Sequence, residues 1–222
     1  MARQPTSPDG PHQGQPLVTA GEPLETARAA MVMVHGRGAD AYDILMLADE
    51  LAQPGFAYLA PQARHNTWYP YSFLSPIPNN EPGISSGMAA LDTVLARVTA
   101  AGIPVERTML LGFSQGACLS LEYVARHARR YGGVVGLSGG LIGPPGTPRG
   151  YPGSLDGTPV FLGCSDVDPH IPKERVAETA QVLQRMGGQV TARIYPGMGH
   201  TVNGDELEFV RGMMGALLRS IL

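Results

Sequence analysis

The chain has 222 residues, a formal net charge of −3 and 16% charged side chains, with no long run of either sign. That balance supplies no basic footprint for nucleic acid and no polybasic segment for an anionic membrane. The length fits one domain with a sizeable core, and no stretch approaches the roughly 18 apolar residues that argue for a transmembrane helix.

Residues 1–16 are rich in Pro, Gly and Gln and show no apolar pattern. They also lack the charged-then-apolar order of a signal peptide, so a flexible tail is expected ahead of one domain over 17–222. A short strand at 17–20 precedes the continuous apolar run 29–35. Residues 41–52 place Ile44, Leu45, Leu47, Ala48 and Leu51 at helical spacing behind Asp40, a suitable N-cap. A strand at 56–61 follows. The helix at 85–101 carries Met88, Leu91, Val94, Leu95 and Val98 on one face and stops at Gly102.

A strand at 107–113 then runs directly into a helix at 115–130. Strands follow at 133–139 and 158–164, a helix at 173–186 between Pro172 and Gly187, and an alternating strand at 189–195. The last helix, 205–221, opens on a capping box of Asn203 and Glu206. Continuous apolar strands alternating with helices predict an α/β fold, with a mostly parallel sheet covered on both faces. Two stretches break the rhythm, 62–84 and 140–157. Loops of that length are functional or mobile, and the Gly/Pro content of the second argues against a helical lid. Cys118 and Cys164 have no ligand-spaced partners and are read as buried free thiols, with no metal site. Unpaired thiols fit a reducing compartment, and a cytoplasmic location is expected.

The chemistry centres on Gly112-Phe113-Ser114-Gln115-Gly116, a G-x-S-x-G motif between strand and helix. Flanking glycines permit a sharp turn that lifts the serine hydroxyl above the carboxyl end of the sheet. A serine needs a base, and the order Ser…Asp…His directs attention to the later strands. His200 follows the last strand in Pro-Gly-Met-Gly-His and is the expected base. Asp168, in the loop after strand 158–164, is the expected orienting acid, with Asp166 the alternative and a turn residue otherwise. His35-Gly36-Arg37-Gly38 follows an apolar strand, so the backbone N–H groups of Arg37 and Gln115 are the expected oxyanion donors. The aromatic loop 62–84 should supply one pocket wall through Trp68, Tyr69, Tyr71 and Phe73, and Met198 should touch the substrate near His200.

HGRGAD, GFSQGA, the D-P-x-I-P loop and the late G-M-G-H together resemble the phospholipase/carboxylesterase family. That family includes bacterial carboxylesterases and the acyl-protein thioesterases and lies close to the dienelactone hydrolases. The resemblance spans roughly residues 29–220. It implies an α/β-hydrolase fold without a large lid and without a cofactor. It also implies the triad Ser114, Asp168 and His200, with oxyanion donors at Arg37 and Gln115. Thioesterase members usually carry a small apolar residue where Arg37 stands, which points away from long-chain acyl-protein substrates. The stretch ending in TWYPYSF is similar to a bacterial esterase subgroup. The expectation is therefore a serine carboxylesterase that turns over short- to medium-chain esters through an acyl-enzyme. Thioester or lysophospholipid hydrolysis by the same triad is the alternative, and a non-catalytic binding protein of the same fold a distant one. The expected partner is a small-molecule ester, without nucleic acid or membrane insertion, and a homodimer is compatible with the family.

Overall fold

A computed structural model of the chain describes residues 10–220. Seven strands form one sheet: β1 (Leu17–Gly21), β2 (Ala29–Val34), β3 (Phe56–Pro61), β4 (Thr108–Phe113), β5 (Gly133–Leu137), β6 (Pro159–Ser165) and β7 (Gln189–Tyr195). Their spatial order is β1-β3-β2-β4-β5-β6-β7, with only β1 antiparallel to its neighbour. Five helices, α1 (Ala41–Glu50), α2 (Gly83–Ala100), α3 (Gln115–Arg126), α4 (Lys173–Arg185) and α5 (Gly204–Arg219), cover both faces.

The pleat explains why β2 reads as an unbroken apolar run. Ala30, Val32 and Val34 point into a core shared with α2, α3 and α4, whereas Met31 and Met33 point into a second core shared with α1 and α5. Every residue of β2 is fully buried, which an alternating amphipathic strand could not achieve. Asp40 caps α1 by accepting from Tyr42 N–H and Asp43 N–H, and Asn203 with Glu206 forms the capping box of α5. Element ends differ from the sequence pattern by a few residues. The largest difference is α3, which ends at Arg126 with His127 as its C-cap instead of running to 130.

The flexible tail expected over 1–16 needs correction for residues 10–16; residues 1–9 lie outside the described residues. His12 is buried. Its Nδ1 accepts from Arg64 N–H at 3.1 Å, so Nε2 is the protonated nitrogen and donates to Trp68 O at 2.8 Å. Its own N–H donates to Ser86 Oγ at 2.8 Å. The pattern lacked apolar residues because this segment is held by hydrogen bonds rather than by apolar burial. Burial outweighs the hydrogen bond to Trp68 and lowers the His12 pKa, keeping the ring neutral.

The Gly/Pro-rich stretch 140–157 contains no helix, and its start is pinned rather than loose. Buried Arg175 donates to Leu141 O at 2.7 Å and Gly143 O at 2.6 Å, and Glu122 accepts from Ile142 N–H at 3.0 Å. Arg149 and Arg175 both pair with Glu178 at 2.9 Å. Among the described residues, no helix is long and apolar enough to cross a membrane.

Glu206 is the most exposed to penalty of the buried charges. Oε2 caps Asn203 N–H at 2.9 Å, but Oε1 has no partner and lies against β6, where a Cβ on Gly163 would meet it. Burial, with Asp205 adding negative charge beside it, pushes its pKa up to about 7 against the pull of the Asn203 hydrogen bond.

Two outcomes follow from these placements. His12→Ala should cost about 2–3 kcal/mol in urea unfolding, because it removes hydrogen bonds to Trp68 O and Arg64 N–H; a loose tail would give no change. The folded pKa of Glu206 lies above its unfolded value, so its contribution is complete in acid and is lost as pH rises through about 7. Wild type should therefore fall on the order of 2–3 kcal/mol relative to Glu206→Gln between about pH 5 and 8, read by urea midpoints at each pH.

Candidate active site

The site forms where the parallel strands end. Ser114 follows β4, His35–Gly38 follows β2, Asp168 follows β6 and His200 follows β7. All these connections leave the same edge, the place where open α/β sheets bind ligands. Ser114 sits at φ 55° and ψ −118° between strand and helix. Two glycines make this possible. A Cβ on Gly116 would lie 2.1 Å from Val34 O, and one on Gly112 would lie 2.4 Å from Gly116 C. The turn is braced by Ser114 N–H donating to Leu137 O at 2.9 Å and Cys118 N–H donating to Ser114 O at 3.0 Å.

Ser114 Oγ lies 2.9 Å from His200 Nε2, and His200 Nδ1 lies 2.7 Å from Asp168 Oδ2. Asp168 can only accept when ionised, so Nδ1 carries the proton and Nε2 is free to take the serine proton. The Asp168 side chain is 0% exposed and that of His200 19%, so the carboxylate is shielded while the imidazole remains reachable. Burial works against ionisation of Asp168. Hydrogen bonds from His200, His170 N–H and Ile171 N–H outweigh it and hold the carboxyl below its usual range. Asp166, the alternative acid, accepts from Gly197 N–H at 2.8 Å instead. Together with Ser165 Oγ, which accepts from Gly199 N–H at 3.0 Å, it fixes the loop that carries His200.

The N–H of Gln115 is the first of α3 and has no acceptor one turn back within the helix. Gly36 brings the His35–Gly38 loop against the nucleophile: a Cβ there would lie 3.4 Å from Ser114 Cβ. His35 braces that loop in its neutral form, with Nδ1–H donating to Gly36 O at 2.8 Å and Nε2 accepting from Ala63 N–H at 3.1 Å. Burial lowers its pKa against the pull of that Gly36 bond.

A cavity of about 500 Å³ opens beside Ser114, lined by Arg37, Tyr69–Phe73, Gln115, Cys118, His170, Ile171 and His200. Tyr69, Tyr71 and Phe73 are thus brought to the site as expected from the sequence. Trp68 is not. It is fully buried behind the wall, with Nε1 donating to His35 O at 3.0 Å and its ring between His12 and His35. Its indole N–H needed an acceptor, and the catalytic-side loop supplied one. Met198 is also absent from the lining: its Sδ accepts from Asn203 Nδ2 at 2.9 Å, turning it toward the cap of α5. The Arg37 guanidinium donates to Pro70 O at 2.9 Å and Tyr71 O at 2.6 Å, so it clamps the aromatic loop while leaving positive charge at the rim.

Sequence reasoning missed His170, Ile171 and Cys118. Cys118 carried a usable signal, since it lies four residues after Ser114 and so on the same helical face. Burial pushes its thiol up to about 12, so it lines the cavity as an inert apolar group. His170 stands edge-on to His200 with ring centroids 4.8 Å apart.

Residues 18–217 match the family model described as phospholipase/carboxylesterase. The chain belongs to that family. A solved phospholipase/carboxylesterase from Dyadobacter fermentans is 43% identical, superposes with a TM-score of 0.87, and covers 92% of this chain and 97% of its own. That agreement supports the α/β-hydrolase fold for the whole described body. Acyl-protein thioesterase 1 from Gibberella zeae is 30% identical over 134 residues, 60% of this chain and 57% of the relative. The same-named protein from Debaryomyces hansenii is 34% identical over 106 residues, 47% of this chain and 46% of the relative. The matches therefore span about half the length of these fungal relatives.

Gln115 joins the elbow to the aromatic loop. Its buried side chain accepts from Trp68 N–H at 2.9 Å and donates to Tyr69 O at 2.8 Å. Gln115→Ala leaves two buried backbone groups without these partners and should cost about 2–4 kcal/mol in urea unfolding. A loss below about 0.5 kcal/mol would mean that the loop is held by other contacts.

Proposed function

We propose that this protein is a serine carboxylesterase that hydrolyses short- to medium-chain carboxylic esters through an acyl-enzyme. The observation that carries this reading is the unbroken line Ser114 Oγ, His200, Asp168 at 2.9 and 2.7 Å. His200 Nε2 takes the Ser114 proton as Oγ attacks the ester carbonyl. The tetrahedral oxyanion is held by the N–H groups of Arg37 and Gln115. The C–O bond to the alcohol then breaks, and the leaving oxygen takes the proton from Nε2. A water molecule, deprotonated by His200, repeats the sequence on the acyl-enzyme and releases the acid. Asp168 stays ionised throughout and stabilises the imidazolium.

The fungal relatives named acyl-protein thioesterase raise thioesters as the second reading, because the same triad opens a C–S bond. The guanidinium of Arg37 at the cavity rim favours a shorter or polar acyl group over a long apolar chain.

The test is a p-nitrophenyl ester ladder from acetate to palmitate, with the matching acyl thioesters alongside. Activity should peak at short to medium chains, and Ser114→Ala, His200→Ala and Asp168→Asn should each lower kcat by about 10⁴-fold or more. Equal rates for wild type and Ser114→Ala would remove the nucleophile assignment. A preference for palmitoyl thioesters would move the protein to the second reading.

A further inference from the structure

His200 is a wall shared by two clefts. The first is the cavity that contains Ser114, Arg37 and Gln115. The second, of about 450 Å³, shares His200 with the first and touches Gly36 but not Ser114. The two differ in chemistry. The first carries Arg37, His170 and Ser72 around an aromatic wall and has no carboxylate in its lining. The second is walled mainly by Ala39, Ile44, Leu47, Phe113 and Val202, with His35 and Thr201 as its neutral polar members. Asp43 also lines it, with one carboxylate oxygen already engaged, accepting from Asp40 N–H at 2.8 Å as part of the α1 cap. Phe113 packs against the His200 ring with centroids 5.0 Å apart, so the imidazole itself continues the apolar wall.

We propose that the second cleft receives the leaving alcohol, and that the preferred substrates are esters whose alcohol half is apolar. This rests on the reading of Ser114 as nucleophile and His200 as base. The carbon that bonds to Ser114 Oγ must lie in the first cavity, with its oxyanion toward the amides of Arg37 and Gln115. The acyl chain continues there, against Tyr69, Phe73, Cys118 and Ile171. The leaving oxygen has to receive its proton from His200 Nε2, so the alcohol lies on the His200 side of the reacting carbon. A group that leaves the serine and passes the imidazole enters the cleft that shares His200 but not Ser114. When the C–O bond breaks, the oxygen takes the Nε2 proton and the alcohol departs neutral, which an apolar cleft tolerates and a charged leaving group would not.

The acyl and alcohol halves are therefore read by separate surfaces, and selectivity for each should respond to different side chains. Leu47 is half-buried on α1, distant in sequence from the elbow and from the loops that hold the triad. The experiment follows alkyl acetates from methyl to hexyl by acid release at constant pH, with methyl acetate and methyl butyrate reporting the first cavity. Wild-type kcat/KM should rise about fourfold for each methylene that the cleft buries, until it is filled. Leu47→Trp, which fills the cleft, and Leu47→Asp, which makes it polar, should both collapse the hexyl-to-methyl ratio. Both should keep the butyrate-to-acetate ratio of the methyl esters. A flat alkyl series in an enzyme whose methyl acetate turnover disappears in Ser114→Ala overturns the subsite and leaves the triad standing. Turnover that survives in Ser114→Ala overturns both. Equal changes in the two ratios in the Leu47 variants also overturn the subsite, and if a variant does not fold, the wild-type series decides.

Discussion

Everything at the site depends on how closely α3 is pressed against β2 and β4. Gly116 leaves no room for a side chain beneath Val34 O, and Gly112 leaves none beneath the first turn of α3. The chain must therefore reverse within one residue, and that residue is Ser114 at φ 55°. A non-glycine residue in this region costs about 1–3 kcal/mol. The cost is offset by the buried core on both sides of the sheet and by the two hydrogen bonds that clasp the turn. Strain here has a geometric return: the hydroxyl stands clear of the sheet, in reach of His200, with the first amides of α3 directly behind it. A relaxed turn would lay the serine along the helix as an ordinary N-cap, with its oxygen bonded to those amides.

The elbow holds one side of the cavity, and polar side chains hold the other. Loop 62–84 has no long helix, yet its Trp68, Tyr69 and Phe73 are buried in the core on that side of the sheet, and polar bonds tie its backbone down. Gln115 binds the backbone of both, Arg37 binds Pro70 and Tyr71, and His35 and His12 flank the indole of Trp68. Both imidazoles are kept neutral by burial, and each uses one nitrogen to donate and the other to accept. Such a network has a unique satisfied arrangement, so it fixes the wall as firmly as apolar packing would. Gln115 and Arg37, whose N–H groups are the proposed oxyanion donors, are also the residues that tie down the wall.

This division explains what could be read from the sequence. Strand and helix placement was legible because β2, β3 and β5 are buried throughout, β4 and β6 at all but one end residue, and their apolar runs are unmistakable. The meeting of Ser114, Asp168 and His200 at one sheet edge was legible because each follows a strand that the pattern already located. The wall was legible only as a collection of aromatics. Trp68 and Tyr69 look alike in sequence, but one indole N–H turned inward to His35 O and the other ring lines the cavity. His12 left no trace because hydrogen bonds to backbone atoms more than fifty residues away have no periodicity. His170 is positioned by its closeness to Asp168, whose Oδ1 accepts from His170 N–H at 2.8 Å and sets the ring beside His200.

Asp168 shows how few atoms hold these parts in register. Its Oδ2 orients His200 while its Oδ1 accepts from His170 N–H and Ile171 N–H, so one carboxylate sets the base, the rim and part of the floor. The three hydrogen bonds also explain why the group is ionised despite its burial. Protonating it would remove the acceptor that fixes the His200 tautomer and would weaken the turn that carries His170 and Ile171 into the cavity. On the proposed mechanism the site would then lose its base and reshape its lining in the same step. The proposed orienting acid is thus also a structural element of the cavity, and the chemistry and the shape of the cavity cannot be varied independently at this position.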